Sequence, residues 1–98
     1  MAKFITEING YLVDRPDLSN LKEEIDLTVI FVDYNDDDWE KTEIEILEVT
    51  VIDNDDLSDT AKFLGPILND ELKEDAELKA YLHDNLHNLR CEPYDNYF

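Results

Sequence analysis

Ninety-eight residues with 43% hydrophobic content suffice for one modest core and not for two, so a single domain spanning residues 1–98 is expected. Acids outnumber bases 26 to 8, for a formal net charge of −18. Such a field repels phosphates, which argues against direct binding to nucleic acid or to an anionic membrane and makes the expected partner cationic.

High net charge favours disorder, but four Phe, five Tyr, one Trp and abundant Ile, Leu and Val predict an ordered fold. Cys91 is the only cysteine, so no internal disulfide forms and a reducing compartment fits. The start Met-Ala-Lys-Phe lacks a signal-peptide apolar run, and no stretch approaches the roughly 18 apolar residues of a membrane span. A cytoplasmic location is expected, that of the host if the chain is phage-encoded.

Asn9-Gly10 takes positive φ at low cost and predicts a two-residue turn between Phe4–Ile8 and Tyr11–Val13, making a first hairpin. Pro16 ends the second strand because it cannot donate to a ladder, and Leu18 to Glu24 is a loop or one helical turn. Ile25, Leu27, Val29 and Phe31 then alternate with Asp26, Thr28 and Ile30, which predicts a central strand. Asn35-Asp36-Asp37-Asp38 is turn chemistry, and the β-branched run from Thr42 to Ile52 completes a longer hairpin. Its apolar positions change parity between Ile46 and Val49, so a bulge or bend is expected near Leu47.

From Asp55 the period becomes helical. Asp55, Asp56 or Ser58 is placed to cap, and Leu57, Ala61, Leu64, Leu68 and Leu72 recur at spacings of three and four. Gly65-Pro66 predicts a kink or break. A second helix is expected from about Asp75 to Arg90, carrying Leu78, Leu82, Leu86 and Leu89 and stopped by Pro93. The fold class is therefore α+β: a small, mainly antiparallel sheet of about four strands in the N-terminal half, covered by C-terminal helices.

No catalytic motif is present: there is no Gly-rich phosphate loop and no nucleophile elbow, and an enzyme is not expected. His83 and His87 have helix-face spacing with Cys91 four further on, but Asp84 stands where a zinc protease carries Glu and no third ligand follows. Asp33-x-Asn35-x-Asp37 has the first spacings of a calcium loop, yet Asp38 occupies the glycine position and Ile44 the bidentate position. Asp53-x-Asp55 breaks off similarly at Leu57. No metal or cofactor is expected.

What remains is the charge itself. Between Asp33 and Asp59 twelve carboxylates face one base, Lys41, and they are threaded through strand-forming residues instead of lying in a tail. Alternate residues on one face of a strand lie about 6.7 Å apart. Phosphates of one DNA strand recur at about 3.4 Å of axial rise, so Glu43 and Glu45 match every second phosphate. The expected function is that of an acidic nucleic-acid mimic, a non-enzymatic inhibitor that occupies the basic groove of a DNA- or RNA-binding protein, in the style of phage anti-restriction or anti-CRISPR proteins. The candidate partner-binding residues are Asp33, Asp36, Asp37, Asp38, Glu40, Glu43, Glu45, Glu48, Asp53, Asp55 and Asp56. The alternative is a protein-binding adaptor or assembly subunit that uses a sheet edge or the C-terminal aromatic tail, with charge serving solubility. A homodimer is compatible with either.

That tail, Glu92-Pro93-Tyr94-Asp95-Asn96-Tyr97-Phe98, is acidic, aromatic and ends in Phe, and it is similar to the terminal docking peptides of single-stranded-DNA-binding proteins. The rest of the chain lacks the basic, aromatic-lined groove such proteins use.

Overall fold

A computed structural model describes residues 2–34 and 43–94. The chain forms β1 (Ala2–Arg15), β2 (Leu21–Asp33), β3 (Ile44–Val51), α1 (Asp59–Lys73), α2 (Ala76–Asp84) and β4 (Cys91–Pro93). The strands make one antiparallel sheet in the order β3-β2-β1-β4, followed by the two helices, and the α+β class is as expected.

The strand count is right but its make-up is not. Asn9-Gly10 does not turn the chain. β1 runs through it, and the register slips by one residue between Ile8, which faces Leu27, and Tyr11, which faces Ile25. Gly10 has φ +68, and its N–H donates to Asp26 Oδ1 at 2.9 Å. The positive φ that suits a hairpin turn equally suits a bulge, and here the longer pairing wins. The first hairpin instead turns at 16–20, where Ser19 and Asn20 take φ of 56 and 55, and Leu21–Glu24 is strand, not loop. The fourth strand is β4, where the tail residues Glu92 and Pro93 pair with Ile5 and Phe4. Asp95–Phe98 lie outside the described residues.

The expected bulge in β3 is present. Ile30 pairs with Glu48 and Phe31 with Ile46, leaving Leu47 as the extra residue. Ile44, Ile46 and Val49 are therefore all buried despite their parity change. They join Ile8, Val13, Ile25, Leu27, Val29 and Phe31 on the helix-facing side, with Phe4 stacked on Phe31 at 5.7 Å between ring centroids. Against them α1 places Ala61, Leu64, Leu68 and Leu72, and α2 places Leu78 and Leu82. Each such leucine contributes about 1.5–3 kcal/mol over its exposed state. Leu86, expected on the second helix with Leu78 and Leu82, lies beyond its end, half-buried and packed on the edge of this core.

Ser58 caps α1 by accepting from Ala61 N at 3.1 Å, and Glu23 in turn accepts Ser58 N at 3.0 Å, tying the cap to β2. α1 continues unbroken through Gly65-Pro66. Lys62 and Pro66 both lie on the exposed side of the helix, where the missing N–H of Pro66 does not disturb the core. α2, capped by Asp75, ends at Asp84 instead of Arg90, and residues 85–88 are turns leading back to the sheet. No helix among the described residues is long and apolar enough to cross a membrane.

Candidate functional site

Because both helices pack on one side of the sheet, no described helix covers the other, here called the open face, although Val32 on it is buried, and strand alternation decides what it displays. Even-numbered residues of β2 point there, as do Lys3, Ile5 and Glu7 before the β1 bulge and Leu12 and Asp14 after it. From β3 the bulge at Leu47 brings both Glu45, opposite Val32, and Glu48, opposite Ile30, to this side. Glu92 of β4 lies beside Ile5. The open face thus carries exposed Glu7, Asp14, Glu24, Glu45, Glu48 and Glu92, half-buried Asp26, and the bases Lys3 and Lys22. Ile5 and Ile30 form the apolar strip between these acids.

The spacing follows from the ladder. Glu45 and Glu48 stand opposite β2 residues two apart, hence about 7 Å from each other along the strand, and neighbouring strands are about 4.8 Å apart. An unbulged strand would turn residues three apart to opposite faces, so Leu47 is what makes these two carboxylates neighbours.

The carboxylates of this face differ in their partners. Tyr34 OH donates to Glu45 Oε2, which holds that side chain and pushes the Tyr34 phenol above its ordinary pKa. Glu92 is 3.6 Å from Arg90. Glu7, Glu24 and Glu48 make no ion pair with a described residue, although Lys3 and Lys73 line the same hollow as Glu48. Asp26 is structural: Oδ1 accepts Gly10 N, and Oδ2 accepts Asn54 Nδ2 at 3.0 Å.

The residues singled out from the sequence divide accordingly. Glu45 and Glu48 are on the open face, and Glu43 is exposed where the chain enters β3, its carbonyl accepting Tyr34 N at 2.8 Å. Asp53, Asp55 and Asp56 are exposed in the loop after β3, Asp53 lying 3.8 Å from Lys62. Asp33 is buried, at 6% exposure, and is not available to a partner. Asp36, Asp37, Asp38 and Glu40 lie outside the described residues. Glu7, Asp14, Glu24 and Glu92 were not singled out. The alternation of Glu24, Asp26 and Thr28 with Ile25 and Leu27 carried the signal for β2. For β1 it was masked by reading Asn9-Gly10 as a turn.

The expected weak metal candidates are separated. His83 ends α2 with Nδ1 3.6 Å from Asp84 Oδ1, whereas His87 lies beyond the helix, so the two do not share a helical face. Cys91 is on β4, its thiol pushed up by burial and drawn back partly by Thr6. Among the described residues no group of three or more His, Cys, Asp or Glu is placed to hold a metal ion.

On the far side of the molecule, α1 exposes Phe63 at 83% and Ile67 at 45%, one turn apart. Between the α1–α2 corner and the end of β1 runs a groove of about 740 Å³. Tyr11 stands at its mouth edge-on to Tyr81, with ring centroids 5.4 Å apart.

Comparison with protein-family models, with curated proteins and with solved structures finds no match to this chain.

Proposed function

We propose that this protein is a non-enzymatic inhibitor that presents its open sheet face to the basic groove of a DNA- or RNA-binding protein in place of nucleic-acid backbone. The observation that carries the reading is the pair Glu45 and Glu48, set on one face at about 7 Å by the bulge, close to the axial interval of every second phosphate. Glu7, Glu24 and Glu92 extend the negative surface across the other three strands. The ladder fixes the backbone that carries these carboxylates, so binding has only their side-chain rotamers left to order, and their summed field is available to steer a cationic groove.

The reading makes a specific demand on electrostatics. Replacing Glu7, Glu24, Glu45 and Glu48 by Gln removes four charges without touching the core, and like-charge repulsion within the sheet falls. Partner affinity is expected to drop mainly through the association rate and mainly at low salt. Unchanged association between low and physiological salt would count against the reading.

A further inference from the structure

The two edges of the sheet are treated differently. β3 lies under α1, and the outward N–H of Val51 is taken by Asn69 Oδ1 at 2.8 Å. β1 has no such cover along most of its length. It pairs with β2 from Ala2 to Arg15, but on its other side it pairs with β4 only at Phe4, Ile5 and Thr6, extended by Tyr94 N donating to Lys3 O at 3.0 Å.

Each residue of an antiparallel ladder directs its N–H and C=O to one neighbour. The Lys3–Tyr94 bond assigns odd-numbered residues before the bulge to the outer side. The slip at Asn9-Gly10 reverses that, so after it Leu12 and Asp14 direct their backbone groups outward. Among the described residues no backbone group bonds to them there. Leu12 is also 53% exposed, an apolar side chain beside an unfilled edge.

This edge borders the 740 Å³ groove, whose one wall is Tyr11, Val13 and Arg15 and whose other is Glu71, Glu74 and Glu77. Arg15 is already engaged by Asp17 at 2.7 Å and Glu71 at 3.5 Å. Glu74 and Glu77 make no ion pair with a described residue, and both line the groove. A strand laid along Leu12–Asp14 would direct alternate side chains into this groove, as Tyr11 and Val13 are directed, and the others toward Leu12 on the open face.

We propose that the free edge of β1 at Leu12–Asp14 accepts an extended peptide as an added strand, its alternate positions carrying Lys or Arg that enter the groove toward Glu74 and Glu77. Backbone pairing supplies the docking and the acidic wall supplies the choice of sequence. A second copy of this chain is a poor occupant, because it would bring Asp14, Glu74 and Glu77 against their own kind. The edge at Leu12–Asp14 is on β1, two strands from Glu45 and Glu48 on β3, although Glu45 shares a surface hollow with Glu74 at the α1–α2 corner, and the proposal stands independently of the mimic reading.

The test uses the whole chain and a short peptide alternating Lys and Val, followed by amide NMR. Binding is expected to move the Leu12 and Asp14 amides most and leave Glu48 unmoved. N-methylating alternate peptide residues is expected to weaken binding about tenfold, the weight of one or two backbone hydrogen bonds. Glu74→Gln with Glu77→Gln, both at exposed positions and with the fold checked by the same spectra, is expected to weaken it several-fold at low salt. Absence of binding, indifference to N-methylation, shifts centred on Glu45 and Glu48, or self-association through β1 would each overturn the proposal.

Discussion

The backbone N–H of Gly10 donates to Asp26 Oδ1 at 2.9 Å, at the point of the β1–β2 ladder where Asn9 and Gly10 together face Asp26. The other oxygen of that carboxylate holds Asn54, so one side chain secures both the bulge in β1 and the loop between β3 and α1. Asp26→Ala should cost about 1–3 kcal/mol, since an exposed backbone amide and a part-buried side-chain amide lose their acceptor. Gly10→Ala should cost about 1–2 kcal/mol through φ +68 alone, because an added Cβ meets only Glu24 Oε2 at 3.9 Å. Urea midpoints of the two variants check both values; a Gly10→Ala protein as stable as the parent would mean the bulge is not held.

Phe31 and Phe63 set the scale of the core. Phe31 is 1% exposed and stacks on Phe4, so Phe31→Ala should cost about 3–5 kcal/mol, a large part of a small domain's stability. Phe63 is 83% exposed, and Phe63→Ala should change stability by no more than about 0.5 kcal/mol. Equal losses in the two variants, read by thermal or chemical denaturation, would contradict the burial described.

Pro66 lies inside α1, where it removes one helical hydrogen bond to Lys62 O. Pro66→Ala restores the donor on an exposed face and should stabilise the protein by about 1–3 kcal/mol. Loss of stability in this variant would show that the ring itself packs usefully.

Tyr11 gives a pH signature. Burial, reinforced by Asp75 and Glu77, pushes its phenol up to about 12. The folded state thus holds the proton more tightly than the unfolded chain, whose tyrosine titrates near 10. This contribution to stability is complete below about pH 10 and is lost as pH rises toward 12. Tyr11→Phe should flatten the alkaline decline, and ultraviolet titration of that variant should lose one late-ionising tyrosine while keeping the Tyr34 phenol that Glu45 also holds up. A Tyr11 that ionised with the exposed tyrosines would place it in open solvent.

Much of this fold was legible because hydrophobic period and strand geometry agree. Ile25, Leu27, Val29 and Phe31 alternate and are buried, the parity change at Leu47 is a real bulge, and Ser58 caps the helix that Leu64, Leu68 and Leu72 announce. Asn9-Gly10 misled because one backbone property, cheap positive φ, serves two structures. Local chemistry cannot choose between them; the reward of pairing twelve residues of β1 against β2 does. The same error hid Glu7 and Asp14 of the acidic face. Glu7 and Asp14 share a face only when β1 is one strand with a slip, and Asp33 appeared available only because its burial depends on contacts made across the sheet.

The central claim is that the open-face carboxylates occupy a site otherwise filled by nucleic-acid phosphates. Competition measures this directly: proteins retained on the immobilised chain from a lysate of its source cell are challenged with duplex DNA and with RNA at physiological salt. Mimicry predicts that one of the two nucleic acids releases the retained partner, and that the variant with Glu7, Glu24, Glu45 and Glu48 changed to Gln retains much less of it. A partner that stays bound under excess of both nucleic acids, and binds the neutralised variant equally well, would contradict the claim.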